Sequence, residues 1–159
     1  PLTNATAEWA AKLGMNLQSS TLKFDESGKP FHVQQADQIR AFRAAWKAAG
    51  HAREPRVSVS RSVFPIVNEL DARYFGQRGD GASDTVGIID GFRSTFGKTY
   101  AAAPDVLVEQ LKQDAAVMSA DTLMLTIPSQ LGVAFNLHVV EEFAKHVAPA
   151  LGWKPNTEA

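Results

Sequence analysis

Thr122-Leu123-Met124-Leu125-Thr126-Ile127-Pro128 is the stretch whose reading decides the fold. A nearly continuous apolar run of this length, closed by proline, reads as a strand buried on both faces, the habit of parallel sheets. Helices flank it. Pro104 opens one that runs to about Ser119, with Asp105 in its first turn and Leu107, Leu111, Ala115 and Met118 on one face. Leu137, Val140, Ala144 and Val147 line the last helix, with Phe143 beside them, and Gly152 and Pro155 stop it.

Upstream the pattern recurs. Asn4 or Thr6 caps a helix to about Leu13, with Gly14 at its end. Residues 15–21 read as a short strand, and residues 23–30 as a polar loop. A strong helix spans residues 33–49, with Ala36, Ile39, Phe42, Trp46 and Ala49 on one apolar face. Residues 56–67 are β-rich, and Pro65 marks where regular pairing stops. Residues 68–100 hold six glycines among polar residues and read as a long, mobile loop, with a short helix over 68–74. The alternation argues for βα units and a parallel sheet.

The chain has 159 residues, 45% of them hydrophobic and 21% charged, the balance of one soluble globular domain. A complete eight-stranded α/β barrel needs roughly 250 residues. The net charge of -1 argues against partners held mainly by charge, such as nucleic acid or an anionic membrane. The absence of cysteine excludes disulfides, thiol catalysis, iron–sulfur clusters and Cys-based zinc sites. Pro1-Leu2-Thr3-Asn4 does not resemble a secretory start, and no apolar run approaches ~18 residues. The expectation is a cytoplasmic chain.

The candidate chemistry is sparse. Gly97-Lys98-Thr99 resembles the end of a phosphate loop, but five residues separate Gly91 from Gly97 where the motif has four. His138 and Glu142, four apart on a helix, lack a third ligand, so no metal is expected. Ser58, Ser60 and Ser62 alternate on a strand and share a face, without the flanking glycines of a nucleophile elbow. Arg73, Arg78, Arg93 and Lys98 suit an anionic ligand if the Gly-rich segment folds over a site. The helix start at Asn4, Ala5 and Thr6 offers free N–H groups to an anion such as phosphate.

Several stretches taken together resemble a known family. They are Ala5-Thr6-Ala7-Glu8-Trp9-Ala10-Ala11-Lys12-Leu13-Gly14-Met15-Asn16-Leu17, Val57-Ser58-Val59-Ser60-Arg61-Ser62-Val63-Phe64-Pro65, Gly97-Lys98-Thr99-Tyr100, Ala120-Asp121-Thr122-Leu123-Met124-Leu125 and Pro149-Ala150-Leu151-Gly152. In order and spacing this resembles the C-terminal half of the bacterial-luciferase-like flavin-dependent monooxygenases. The resemblance implies an α/β fold that is the C-terminal part of a (β/α)8 TIM barrel, about three βα units with a long lid-like loop. Residues 1–159 would then form a single domain or fragment carrying strands six to eight (residues 15–21, 56–64 and 122–127).

The resemblance further implies an oxidoreductase that uses reduced FMN, or a deazaflavin, and oxygen on a small organic substrate. A separate flavin reductase is an implied partner. The flavin phosphate falls at Asn4, Ala5 and Thr6. Ser19, Ser20, Ser62 and Phe64 fall on the flavin or substrate side, and residues 68–100 fall where the family often has a lid. No residue of this chain inherits a catalytic role. The expectation is a fragment inactive alone, completed by a second copy or a complementing chain. The alternative is a non-catalytic α/β domain that binds a phosphate-bearing ligand or a protein partner.

Overall fold

The computed structural model describes residues 2–24, 27–79, 83–89 and 91–155. In chain order the elements are α1 (Asn4–Lys12), β1 (Leu17–Gln18), β2 (Leu22–Phe24), α2 (Phe31–Ala49), β3 (Val57–Arg61), β4 (Val63–Pro65) and α3 (Glu69–Gly79). Then come β5 (Thr85–Ile89), β6 (Phe92–Phe96), β7 (Tyr100–Ala102), α4 (Pro104–Lys112), β8 (Thr122–Leu125) and α5 (Gly132–His146). The chain divides into two compact units, a first of Pro1–Arg61, Ser83–Lys98 and Asp114–Met124, and a second of Ser62–Ala82, Thr99–Gln113 and Leu125–Ala159.

The first unit is built on a three-stranded sheet in the order β1-β3-β8, with β1 and β3 parallel and Leu17 opposite Val57. Strand alternation puts Leu17, Val57 and Val59 on one face, where they pack with Ile39, Phe42 and Trp46 of α2. Ala7 and Ala11 are buried in the same core, and their small side chains let α1 lie close against α2. Of the expected apolar face of α2, Ala36, Ile39, Phe42 and Trp46 are buried, whereas Ala49 in the last turn is exposed, and Gly50 ends the helix in the left-handed region at φ 72°.

β8 differs from its reading as a strand buried on both faces. Thr122, Leu123 and Leu125 are half-buried and Met124 is 48% exposed. The physical reason is its place at the end of the strand order. Leu123 packs on the α2 core, whereas the other face has no covering layer among the described residues of this unit.

Residues 68–100 are also not a long loop. They contain α3 and the β5–β6 hairpin, and β6 pairs antiparallel with β2, giving the order β2-β6-β5. β2 in turn lies in what read as the 23–30 loop. The glycines have specific uses here. Gly91 follows β5 at φ 81° in the hairpin turn. A Cβ on Gly97 would stand 2.7 Å from the Phe31 ring, so only glycine fits there. The Asp84 carboxylate accepts from Phe31 N–H (2.7 Å) and Lys98 N–H (3.1 Å), pinning the hairpin base to the start of α2.

In the second unit β4 and β7 pair in parallel, Phe64 opposite Ala101. Phe64, Phe75, Ala101 and Val139 form its core. α4 stops at Lys112 rather than near Ser119, and Met118 is exposed rather than on its buried face. The chain cannot continue as helix because Asp114 turns its carboxylate to the amides of Ala116 and Val117 and opens a 3-10 turn at Val117–Ser119. In α5 the buried positions are Val139 and Phe143, followed by Val147, whereas Leu137 and Val140 are exposed. The helix carries two apolar stripes, and the one bearing Phe143 is the one that packs. No helix among the described residues is long and apolar enough to cross a membrane.

One interaction holds the first unit across a long sequence gap. Arg61 meets Asp114 through Nε–Oδ2 at 2.7 Å and a second guanidinium nitrogen to Oδ1 at 3.0 Å, with both side chains almost fully buried. Removing one partner leaves an uncompensated buried charge. Arg61→Met alone should cost about 3–5 kcal/mol in urea unfolding, and adding Asp114→Asn, which removes the stranded charge but keeps an acceptor for the Ala116 and Val117 amides, should recover part of it. A single variant as stable as the parent chain would show that the pair does not hold the unit.

Candidate functional site

The site begins at the α1 N-terminus. The helix starts at Asn4 because Thr3 caps it, its Oγ1 accepting from Thr6 N–H at 3.3 Å. The cap is thus Thr3, one residue before the expected Asn4 and three before Thr6. Asn4, Ala5 and Thr6 are the first exposed turn, whose N–H groups point out along the axis.

Lys23 was hidden in the presumed loop. It lies on β2, only 3% exposed, and its Nζ donates to Asn4 Oδ1 at 3.4 Å. A lysine between Leu22 and Phe24 was the available signal, since a strand turns alternate side chains the same way. A positive helix end and a buried ammonium therefore converge on one first turn.

Behind this turn stands a row of amides. Gln38 donates to Thr3 O (2.9 Å) and accepts from Ser19 Oγ (2.9 Å). Gln35 donates to Ser19 Oγ (3.2 Å) and to Ser20 O (2.8 Å). The end of β1 is thereby tied through α2 to the cap of α1. Ser19 is 0% exposed, lies on the sheet face covered by α2, and has both hydrogen-bonding roles filled, so it supports the site from behind. Ser20 is half-buried at the strand end.

The opposite sheet face is polar. Gln18, Ser58 and Ser60 stand on it, with Ser58 Oγ donating to Gln18 Oε1. Ser62 lies beyond the end of β3 and belongs to the second unit. Its carbonyl accepts from Tyr100 N–H at 2.9 Å. Phe64 is 4% exposed and stacks on Phe75 at 4.0 Å. The structure therefore brings Asn4, Ala5, Thr6, Ser19 and Ser20 together in the first unit, and carries Ser62 and Phe64 in the second.

Other candidates resolve differently. Lys98 N–H meets the Asp84 carboxylate, so Gly97-Lys98-Thr99 presents that amide to a protein anion rather than a phosphate. His138 bonds Asp71 at 2.9 Å, while Glu142 pairs with Lys145 and His146, so the two do not act as a ligand pair. No group of three or more metal-ligating side chains forms among the described residues. Arg73 and Arg93 are exposed, and the Arg78 side chain lies outside the described residues.

No family model and no curated protein matches the chain. Among solved structures it is similar to the monooxygenase RslO1 from Streptomyces bottropensis, with a TM-score of 0.62 at 17% identity, over 92% of this chain and 45% of that one. The chain thus spans just under half the length of that protein, and the likeness is one of fold, a mixed α/β architecture with parallel strands.

Two outcomes test the local geometry. Gln38→Leu strands Ser19 Oγ and the Thr3 carbonyl, and should cost about 1–3 kcal/mol with early fraying of α1 in amide exchange. Unchanged exchange in the first turn of α1 would refute the linkage. At the α2 start, the hydrogen bond from Lys29 holds the Asp37 carboxyl below its ordinary value, against the opposing effect of burial, with Lys29, Arg40 and Lys23 charges assisting. A depressed carboxylate adds stability above its unfolded pKa, and that stability goes as pH falls through the folded value. Lys29→Ala should therefore be less stable than the parent at neutral pH, with the difference vanishing in strong acid. A difference that persists in strong acid would refute it.

Proposed function

We propose that the chain is the C-terminal half of a luciferase-like flavin-dependent monooxygenase barrel, with β1, β3 and β8 as its sixth to eighth strands. The observation that carries the reading is the α1 first turn with Lys23 beside Asn4, which suits the phosphate of FMN. The strand order, in which β1, β3 and β8 are successive neighbours, and the fold likeness to a monooxygenase support it.

In this reading Asn4 and Ala5 offer backbone N–H groups to the phosphate, and Thr3 holds the turn open. Lys23 neutralises charge from the strand side. Gln38 and Ser19 fix the turn against β1, and Ser20 stands at the strand end toward the ligand. Ser62 and Phe64 belong to the second unit, where Phe64 packs in the core, and take no part in this turn; the rest of the barrel comes from strands outside this chain. When bound, reduced flavin supplies the oxygen activation and the transfer of one oxygen atom to an organic substrate. FMN and a deazaflavin share the phosphate end, so this turn serves either, with a reductase supplying the reduced form.

A second reading, a non-catalytic α/β domain that holds a phosphate-bearing ligand, draws on the same helix start and on the 45% span of the solved monooxygenase. Titration with FMN, riboflavin and inorganic phosphate separates the two. FMN should bind more tightly than riboflavin, and Lys23→Met should weaken FMN by about tenfold while leaving riboflavin unchanged, as expected for one lost charge-assisted contact. Phosphate binding without flavin preference supports the second reading. No flavin binding, by this chain or by a longer protein containing it, sinks the first.

A further inference from the structure

We propose that β5 is a self-association edge, two copies of the chain pairing their Thr85–Ile89 strands antiparallel about a two-fold axis at Gly87. In the order β2-β6-β5, β6 occupies one side of β5, and no strand pairs its other side among the described residues. Such an edge presents a row of backbone N–H and C=O groups. Proteins usually blunt it with lysine, proline or a bulge. Thr85-Val86-Gly87-Ile88-Ile89 has none of these, and its register with β6 runs unbroken from Thr85 opposite Phe96 to Ile89 opposite Phe92. Val86 is 51% and Ile88 79% exposed.

What fits a bare strand edge is another strand, and the sequence of this one suits itself. With Gly87 on the axis, Val86 of each copy lies opposite Ile88 of the second copy, and Thr85 opposite Ile89. Branched apolar side chains make favourable cross-strand neighbours. Thr85–Ile89 itself carries no charged side chain, so no like charges meet within the paired segment. Asp84, just before the strand, is turned to the Phe31 and Lys98 amides. Arg93 lies on β6, so two copies hold their arginines three strand spacings apart, about 14 Å, beyond the screening length of ~10 Å at 0.1 M salt. The product is one continuous antiparallel sheet that closes by symmetry. Its outermost strand on each side is β2, only three residues long, a poor edge for further growth.

The absence of cysteine makes the test direct. A Cβ on Gly87 would meet Phe96 at 3.9 Å, an ordinary contact, so Gly87→Cys is tolerated. Opposite residues of paired strands stand within about 5 Å, close to disulfide reach. Mild oxidation of Gly87→Cys should yield a covalent dimer of twice the 17.2 kDa chain, faster than Ala44→Cys on the exposed side of α2. Sedimentation should show concentration-dependent dimers, with Ile88→Lys raising the midpoint at least tenfold. The proposal fails if the chain stays monomeric, if Gly87→Cys cross-links no faster than the control, or if the dimer ignores Ile88→Lys, as it would if held through β1 or β8.

Discussion

The buried pairing of Arg61 with Asp114 is the constraint on which the first unit turns. Arg61 ends β3, and Asp114 opens the turn that leads to β8, 53 residues later. A carboxylate with two bonds from one guanidinium and two more from the Ala116 and Val117 amides has its desolvation compensated from both directions. The Arg61 guanidinium also lies 5.5 Å from the centre of the Phe31 ring, at the start of α2. Three segments far apart in sequence thus converge on one charged group. A hydrophobic replacement would leave the Ala116 and Val117 amides without their acceptor and would not specify which turn meets which strand.

A second polar system lies on α2. Its buried face is half aliphatic and aromatic, through Ile39, Phe42 and Trp46, and half amide, through Gln34, Gln35 and Gln38. The apolar half packs on the sheet, and the amide half organises the cap of α1 and the end of β1. Placing the polar half beside the candidate anion site fits a scaffold that fixes backbone N–H groups in place.

Much of the first sheet was legible from pattern alone. Val57 and Val59 alternate with serines, Ile39, Phe42 and Trp46 recur at helical spacing, and the run from Thr122 is strand-like. What stayed hidden depends on partners remote in sequence. β2 and the β5–β6 hairpin are short strands, the hairpin carrying Gly87 and Gly91, that come together where Leu22 pairs with Phe96. No local window contains both. For α5, two apolar stripes have similar claims, and packing against Phe75 through Phe135 decides between them. At the site, the first-turn N–H groups could be placed from helix rules, whereas Lys23 could be recognised only once β2 was known to be a strand.

Asp84 has a consequence for the order in which the chain acquires structure. Pro30, at the N-cap of α2, provides no capping side chain, and Phe31 N–H is satisfied by a carboxylate 53 residues away. The helix therefore borrows its start from a hairpin made later in synthesis. Until that hairpin is in place, the first turn of α2, which carries Gln34 and Gln35, lacks this anchor. A nascent chain released before Asp84 would therefore carry α2 without the acceptor for its first N–H.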